Sequence, residues 1–405
     1  MVLKGWKRIP LEQVAEVRSG VAKGKTGLKD PVTVPYLRVA NVQDGHINLD
    51  EVKEIEVERD KLDRFSLKKG DVLMNEGGDF DKLGRGDVWL GQIEPCLHQN
   101  HVFAVRPNPD MMDSFFLAAL AASYYGKTYF LSCAKRSTNL ASINSKQIKE
   151  FPALVPPLSE QKKIAKILST WDKAITTTEQ LLTNSQQQKK ALMQQLLTGK
   201  KRLLDKNGVR FSGEWKTYKF SSLFNERVET GRDDLPLLSI TADDGVVYQE
   251  DTGRKNTSNE DKSKYRRICV NDIGYNTMRM WQGRSSLSDK EGIVSPAYTI
   301  VTPTSKVCPA YAAYLFKFPA LVHIFYRHSQ GLVSDTWNLK FNHFKNISWQ
   351  VPSIDEQQKI AAVLSTADKE VTALQQKLDA LKQEKQALMQ QLLTGKRRVK
   401  VEVAA

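Results

Sequence analysis

The ten residues ALMQQLLTGK occupy positions 191–200 and recur unchanged at 387–396. The offset of 196 residues, the difference between 191 and 387, also aligns earlier identities without a gap from Pro156 onwards. Those identities include Glu160-Gln161 with Glu356-Gln357, Leu168-Ser169-Thr170 with Leu364-Ser365-Thr366, and Asp172-Lys173 with Asp368-Lys369. A repeat of this length indicates that the chain contains two copies of one structural unit.

Each copy is predicted to form one long helix, because seam residues recur at alternating steps of four and three, the spacing of a coiled coil. In the first copy these positions are Ile164, Leu168, Trp171, Ile175, Thr178, Leu182, Ser185, Lys189, Leu192 and Leu196. In the second they are Ile360, Leu364, Ala367, Val371, Leu374, Leu378, Leu381, Lys385, Leu388 and Leu392. Gly199 and Gly395 can end the helices in the left-handed conformation.

A long helix with an apolar seam needs a partner, and the nearest partner for each copy is the other copy. We expect the two helices to pair as an antiparallel coiled coil, with a globular segment at each end in a pseudo-two-fold arrangement. The alternative is a pair of ordinary amphipathic helices in a generic bundle. The identical surface residues disfavour that alternative, because packing alone requires only the apolar pattern.

The helices divide the chain into four parts: a first globular domain at 1–155, a helix and linker at 156–209, a second globular domain at 210–351, and a helix and tail at 352–405. Each globular segment opens with Trp-Lys and a predicted short helix that ends at Ser19-Gly20 or Thr230-Gly231. Strands and an apolar helix near 113–126 or 309–326 follow. The predicted fold class is therefore α+β, with two mixed α/β domains separated by the long helices.

The bulk composition favours a nucleic-acid partner and excludes a membrane protein. The 405 residues carry 60 Lys and Arg against 46 Asp and Glu, a formal net charge of +14, which suits a polyanion. No apolar run is long enough for a membrane span, and the N-terminus lacks the apolar core of a secretory signal. Four scattered cysteines predict a reducing cytoplasm: Cys96, Cys133, Cys269 and Cys308.

The repeated segments closely resemble the specificity subunits of type I DNA restriction–modification enzymes. PPLSEQKKIAKIL at 156–168 and VPSIDEQQKIAAVL at 351–364 are similar to that family's helix openings. LLTGKKR at 196–202 and LLTGKRR at 392–398 are similar to its helix endings. GDVLM at 70–74 resembles the core of a family recognition domain, whereas the second domain departs from it with Asn271-Asp272-Ile273.

The resemblance implies a prokaryotic, cytoplasmic DNA-binding subunit with no catalysis of its own. Each globular domain would be a target-recognition domain for one half of a split, asymmetric DNA site, and the helices would hold the two halves at a fixed separation. Two methyltransferase (modification) subunits and ATP-dependent restriction subunits would be the partners. S-adenosylmethionine, ATP and Mg would be used by those partners, so this chain is expected to bind no cofactor.

Base readout requires side chains that present hydrogen-bond donors or acceptors to base edges, and loops that carry them beside glycine are the candidates. In the first domain the DNA-binding candidates are Lys23, Lys25, Lys82, Arg85, Lys135, Arg136, Ser137 and Asn139. In the second domain they are Arg254, Lys255, Asn256, Arg279, Gln282, Arg284, Ser334 and Asn338. A solvated loop residue is an equally good interpretation of any single one. The predicted partner-docking residues on the helices are Glu160, Gln161, Ile164, Trp171, Leu196, Glu356, Gln357, Ile360 and Leu392.

Two patterns suggest other chemistry only weakly. The segment from Gly20 to Thr26 is one residue too short between its glycines to wrap a nucleotide phosphate as a P-loop, and a basic loop touching a DNA phosphate is preferred. Cys96, His98 and His101 have no second ligand pair nearby, which disfavours zinc. We expect the two histidines to flank a strand, one buried and one exposed.

Two other classes of function are weighed against DNA recognition. A coiled-coil scaffold that binds only proteins would share the helices, and its basic charge would be incidental. A self-sufficient methyltransferase or nuclease is disfavoured, because the chain lacks a cofactor-binding glycine fingerprint and an Asn-Pro-Pro-aromatic motif, and has only a lone Glu-x-Lys at 51–53. A neighbouring methyltransferase gene and a large helicase-like reading frame would favour the specificity subunit.

Overall fold

The chain divides into two units, each built around one of the two predicted globular domains. The structure, a computed structural model, describes residues 4–24, 27–78, 80, 83–84, 86–136, 141–241, 245–253, 260–332 and 336–400. The first unit comprises Met1–Glu179 with Gln376–Ala405, and the second comprises Gln180–Gln375. Each unit thus contains one globular domain and a part of both long helices. Among the described residues, no helix is long and apolar enough to span a membrane.

The first domain is a mixed α/β fold of short elements. Its strands are β1 (Lys7–Pro10), β2 (Ala15–Ser19), β3 (Pro31–Leu37), β4 (Val42–Gln43), β5 (His46–Ile47), β6 (Lys53–Glu58), β7 (Val72–Asn75), β8 (Gly77–Gly78), β9 (Leu97–His98), β10 (Val102–Pro107), β11 (Lys135–Arg136), β12 (Ala141–Ser142) and β13 (Pro152–Val155). Its helices are α1 (Leu62–Phe65), α2 (Ser114–Ala122), α3 (Tyr124–Cys133) and α4 (Ser145–Lys149), and the long α5 (Leu158–Leu196) follows.

An antiparallel sheet in the order β2–β10–β7 forms the centre of the first domain. Its apolar residues, such as Val105 and Met74, share one buried cluster with Phe116 of α2 and Phe130 of α3. Strand β1 pairs antiparallel with β13, so the beginning of the domain is tied to the segment that leads into α5. Burial of this apolar cluster supplies the main driving force for the fold.

The second domain repeats this plan with a central sheet of four strands in place of three. Its strands are β14 (Lys216–Lys219), β15 (Phe224–Arg227), β16 (Leu238–Ile240), β17 (Val246–Tyr248), β18 (Arg266–Ile268), β19 (Ile273–Asn276), β20 (Ser285–Leu287), β21 (Gly292–Val294), β22 (Tyr298–Pro303) and β23 (Ser348–Val351). Its helices are α6 (Phe220–Leu223), α7 (Pro309–Leu315), α8 (Pro319–His328) and α9 (Phe341–Phe344), followed by the long α10 (Ile354–Leu392). The central sheet has the order β15–β22–β19–β20, and β14 pairs with β23 as β1 pairs with β13.

The turn that leads into β7 in the first domain has the same geometry as the turn that leads into β19 in the second, although its sequence differs. Gly70 precedes this turn's aspartate with a φ of +98°, and Asn271 takes its place with a φ of +72°. Asn tolerates the left-handed region better than most residues, so the change from Gly to Asn keeps the turn. The buried aspartates that follow, Asp71 and Asp272, each accept a 2.8 Å hydrogen bond from a backbone amide of the turn.

The two long helices contain 39 residues each, about 58 Å at 1.5 Å per residue. Every predicted seam position in both helices is buried or half-buried, and most positions between them are exposed. Within the first unit, Asp172 pairs with Lys385, and Glu179 pairs with Lys382 at 2.7 Å. Residue numbers therefore rise along α5 in the direction in which they fall along α10, so the two helices are antiparallel. The predicted antiparallel pairing is confirmed within this unit, and the predicted mixed α/β domains are confirmed as well.

The lysines that interrupt the apolar seam are paired across it. Lys385 of α10 contacts Asp172 of α5 in the first unit. Lys189 of α5 contacts Asp368 of α10 in the second unit, and each residue of this pair is displaced by 196 positions from its counterpart. Gly199 and Gly395 follow the helices with φ values of +70° and +73°, as predicted for the helix ends. The pseudo-two-fold arrangement of the two domains stays a prediction.

The predicted opening helix of each domain is shorter than expected. In the first domain only a 3-10 turn at Leu11–Gln13 is helical, and the residues up to Ser19 form β2. In the second domain α6 is one turn long and is followed at once by β15. The physical reason is long-range: β2 and β15 are central-sheet strands paired with β10 and β22, which local sequence does not reveal.

The predicted apolar helices are each split in two. The helix expected near 113–126 is broken at Ser123, which ends α2 and caps α3 by accepting a hydrogen bond from the Gly126 amide. The helix expected near 309–326 is broken between α7 and α8, where Pro319 stands at the first helical position of α8. Serine at an N-cap and proline in a first turn are both typical of helix starts.

Candidate DNA interface and helix junctions

Two loops that are far apart in the sequence meet at one edge of the first domain. One follows β7, an edge strand of the central sheet, and the other follows α3. They join through β8, β12 and β11, in which Gly77 pairs with Ser142 and Ser142 pairs with Lys135. The amide of Ile143 donates to the carbonyl of Glu76 at 2.8 Å. Lys135 and its neighbour on β11 therefore lie one strand, β12, away from the start of the loop after β7.

The second domain brings the corresponding loops together in the same way. The amide of Leu339 donates to the carbonyl of Thr277 at 2.8 Å, at the point where the first domain has the bond between residues 143 and 76. The predicted candidate Asn338 exchanges two 2.8 Å backbone hydrogen bonds with Gln330 across the second loop. Trp337 of this loop packs edge-on against a tryptophan of the loop after β19, with the ring centroids 5.3 Å apart.

Five of the described candidates at these two edges are exposed polar groups, and Asn338 is half-buried. Lys135 and Arg136 are exposed in the first domain, and Arg279, Gln282 and Arg284 are exposed in the second. Within the described residues, no carboxylate forms an ion pair with any of these lysine and arginine side chains. Unpaired cations at an exposed edge are suited to neutralise phosphate charge, and arginine can also read guanine in the major groove.

Lys23 lies in a third loop that adjoins the first-domain edge. The amide of Val21 donates to the carbonyl of His98 at 2.8 Å, and the amide of Asn100 donates to the carbonyl of Val21 at 3.0 Å. The loop therefore lies against residues 98–101, which lead into β10. Nine predicted DNA-binding residues lie outside the described residues and stay predictions: Lys25, Lys82, Arg85, Ser137, Asn139, Arg254, Lys255, Asn256 and Ser334.

A buried carboxylate joins each domain to the end of the opposite helix. Glu160, 2% exposed in the first turn of α5, forms a two-pronged ion pair with Arg398, with both N–O distances 2.7 Å. The indole of Trp6 donates to the same carboxylate at 3.3 Å. In the second unit Glu356, 1% exposed, holds Arg202 at 2.6 and 2.7 Å. The paired guanidinium compensates the burial of each carboxylate.

The neighbouring glutamine fastens each long helix to its own domain. Gln161 is fully buried; its Nε2 donates to the carbonyls of Met111 at 2.9 Å and Pro156 at 2.8 Å. Its Oε1 accepts from the amide of Asp113, the residue that caps α2, at 2.8 Å. Gln357 makes the same three bonds in the second unit, to two carbonyls at 2.9 and 3.0 Å and from one amide at 2.8 Å.

This placement corrects the prediction that the repeated helix residues form a partner-docking surface. The buried members are used within the chain, because their side chains either form the junctions described above or pack in the core of their own unit: Glu160, Gln161, Ile164, Leu196, Glu356, Gln357, Ile360 and Leu392. Trp171 is half-buried, and its docking role stays a prediction. Sequence identity alone could not distinguish an internal junction from an external surface.

The two weak patterns have structural roles. Between Gly20 and β3, which begins at Pro31, none of the described residues forms the helix that a P-loop requires. His98 is buried and His101 is exposed, as predicted, but the two histidines flank a turn and not a strand, because His98 lies in β9 and His101 precedes β10. Burial lowers the pKa of the His98 imidazole. Burial also raises the pKa of the Cys96 thiol to about 12. Among the described residues, no group of three or more His, Cys, Asp or Glu side chains is placed to hold a metal ion.

The chain contains two related α/β domains whose loop edges are polar and partly basic. A buried Glu–Arg pair fixes each domain to the antiparallel helices. This architecture defines a tandem recognition protein. The family model of the type I restriction modification DNA specificity domain matches residues 3–184 and 213–383. The chain belongs to this family and contains two copies of its domain. It is thus a specificity subunit of the type I restriction–modification class, with a role in the DNA sequence specificity of such a complex.

One curated relative matches nearly the whole chain, and another matches less than half of it. The chain is 25% identical to a putative type I restriction enzyme MjaX specificity subunit from Methanocaldococcus jannaschii, over 98% of this chain and 94% of the relative. It is 24% identical to the EcoKI specificity subunit of Escherichia coli, over 40% of this chain and 35% of the relative. The fold is similar to the HsdS subunit from Thermoanaerobacter tengcongensis, with a TM-score of 0.52 at 14% identity over 98% of both chains. It is also similar to the S subunit from M. genitalium, with a TM-score of 0.55 at 12% identity over 96% of both chains.

Proposed function

We propose that this chain recognises a bipartite, asymmetric DNA target, that each globular domain reads one half-site, and that the chain has no catalytic activity of its own. The observation that carries this proposal is that the two domains share the same backbone hydrogen bond between their loops, a shared frame, but place different side chains on it. The bond from Ile143 to Glu76 recurs as the bond from Leu339 to Thr277, at the place where two loops meet in each domain. Different side chains on one frame are suited to read different bases.

Some exposed residues of each edge would contact DNA phosphates, and others would contact base edges. Lysine and arginine side chains neutralise phosphates, which supplies affinity and register but little sequence information. Arg279, Gln282 and Arg284 follow one another closely around a turn of the second domain, and all three are exposed. Arginine and glutamine form paired hydrogen bonds with guanine and adenine, respectively, so this turn is the strongest base-reading segment of the second domain.

The long helices would recruit two methyltransferase subunits, and ATP-dependent restriction subunits would join the complex. Ala191 and Gln194 of the repeated decapeptide are exposed, as are their counterparts Ala387 and Gln390, so internal packing does not account for their identity. Two identical exposed faces support two copies of one partner. S-adenosylmethionine, ATP and Mg would act in the partner subunits, and the complex would work in the cytoplasm of a prokaryotic cell.

Exchange of one domain tests this proposal directly. Residues 1–155 are replaced by the corresponding domain of another family member, and the chain is expressed with its methyltransferase subunit. Methylation-sensitive sequencing of the host genome then gives the modified motif. We expect one half of the motif to change, and the reciprocal exchange of 210–351 to change the other half. A motif that changes in both halves would contradict one domain per half-site, and an unchanged motif would favour a scaffold that binds only proteins.

A further inference from the structure

A carboxylate stands near the exposed cations Lys135 and Arg136 at the edge of the first domain. Glu76 directly follows β7, and its side chain contacts the imidazole of His101. The Glu76 side chain is 30% exposed and the His101 side chain is 54% exposed. Together with Lys135, Arg136 and Ser142 they line a cavity of about 570 Å³ between the two loops. This cavity opens on the edge that the proposed function assigns to DNA.

The position of Glu76 is set by the fold and not by a loose loop. Its amide donates to the carbonyl of His101 at 2.9 Å, and its carbonyl accepts from the amide of Ile143 at 2.8 Å. The backbone is therefore held on both sides, while the imidazole contact restrains the carboxylate. A positioned carboxylate repels phosphate, so at a DNA-binding edge its suitable partner is a base that presents a hydrogen-bond donor.

The second domain has the same frame with different chemistry. The amide of Thr277 donates to the carbonyl of Ala297 at 3.2 Å, and its own carbonyl accepts from the amide of Leu339 at 2.8 Å. The Thr277 hydroxyl turns back to the same Ala297 carbonyl at 3.1 Å. The carboxylate and imidazole of one domain thus correspond to a hydroxyl and a methyl group in the other. A fixed frame with exchanged side chains is what differing base preferences require.

Resting on the proposed function, we infer that Glu76 reads a cytosine of the first half-site by accepting a hydrogen bond from its N4 amino group, with His101 holding the carboxylate in place. Cytosine presents only this donor in the major groove, whereas adenine places the acceptor N7 beside its N6 donor. A carboxylate has acceptors only, so it matches cytosine. Lys135 and Arg136, beside it, can donate to the O6 and N7 acceptors of the paired guanine.

The test is the variant Glu76→Gln, in the full chain co-expressed with its methyltransferase subunit. Glutamine offers a donor and an acceptor, which match N7 and N6 of adenine. Methylation-sensitive sequencing of the host genome should show that one position of the first half-site shifts from cytosine towards adenine. The preference between the two bases should change by about tenfold, while the second half-site stays the same. Glu12→Gln, which removes a charge from an exposed residue beside β1, is the matched control and should leave the motif unchanged.

Each outcome is decisive. A first half-site without cytosine on either strand, or an unchanged motif with Glu76→Gln, overturns the inference. If Glu76→Gln abolishes methylation altogether, Glu76→Asp, which keeps the acceptor, should restore the original motif, and failure to restore it also overturns the inference. The proposed function is tested separately by exchange of residues 1–155. If Glu76 has no part in base recognition but the proposed function holds, this exchange should still change one half of the motif.

Discussion

At the scale of single residues, the Glu-Gln pair that opens each helix has two separate structural tasks. The glutamate binds an arginine from the end of the opposite helix, and the glutamine fastens its own helix to its own domain. Gln161 uses its amide hydrogens and its amide oxygen on three backbone groups at once. A side chain that satisfies several buried backbone groups leaves all of them unpaired when it is removed, so its loss is costly.

We therefore expect Gln161→Ala to destabilise the first unit by about 3 kcal/mol or more, since it leaves three backbone groups without their partner and each buried polar group left unsatisfied costs about 1–3 kcal/mol. The measurement is urea unfolding of the full chain, followed by fluorescence. Lys162→Ala is the control, because Lys162 is exposed on the next position of the same helix and should change stability little. Equal effects of the two substitutions would contradict the role assigned to Gln161.

At the scale of elements, charged residues at the seam of the helix pair favour the antiparallel orientation. In antiparallel order Lys385 meets Asp172, and Lys189 meets Asp368. A parallel pairing of the repeats would instead place lysine opposite lysine and aspartate opposite aspartate. Polar residues at seam positions reduce the stability of a coiled coil but specify its register and partner. The two lysines are therefore a device for orientation.

Exchange of the charges in one pair should reveal this coupling. We expect Lys385→Asp to destabilise the first unit, because the new carboxylate lies beside Asp172. The double variant Lys385→Asp with Asp172→Lys should recover about 1 kcal/mol, the coupling energy of a partly exposed ion pair. Thermal or urea unfolding of the four chains gives the double-mutant cycle. Lys377→Asp, at an exposed helix position, is the control, and strictly additive effects at 172 and 385 would contradict the pairing.

At the scale of the whole molecule, the two globular domains are connected through the long helices, and the ion pairs between these helices set their register. Inserting one heptad after Glu179 lengthens α5 but leaves α10 unchanged, so the pairs at 172 and 189 cannot both keep their partners. We expect a changed spacer length or loss of assembly, with both half-site sequences retained. Methylation-sensitive sequencing reports both quantities. A motif with altered half-sites and the original spacer would contradict this function of the helices.

The repeated exposed face should determine how many partner subunits bind. Ala191→Arg places a long charged side chain on the face shared by the two copies of the decapeptide. We expect this variant to bind one methyltransferase subunit where the wild type binds two, as measured by native mass spectrometry. Gln186→Arg is the control, because position 186 is exposed, lies about 140° around the helix, and corresponds to Lys382 in the other copy. Normal binding of two subunits to Ala191→Arg would exclude this face as the docking site.

The helix register, its ends at Gly199 and Gly395 and the mixed α/β class could all be predicted, because they depend on local periodicity and on an exact repeat. The strand nature of Ala15–Ser19 and the break at Ser123 could not, since pairing partners and caps depend on contacts distant in sequence. The docking prediction for Glu160 and Gln161 was wrong for a related reason. A repeated polar motif looks the same whether it faces solvent or a buried junction.

The sequence by itself determined that two copies of one helix accompany two globular domains, because a periodic apolar seam and an identical decapeptide can be recognised without the tertiary structure. Only the tertiary structure decided which side chains stand at the proposed DNA-binding edges. It brought residues 76 and 101 together across the sheet and set them beside β11, whereas their counterparts in the second domain, 277 and 297, carry other side chains on the same frame. Periodicity acts along a helix, but a binding edge is assembled by loop closure and strand pairing between distant segments.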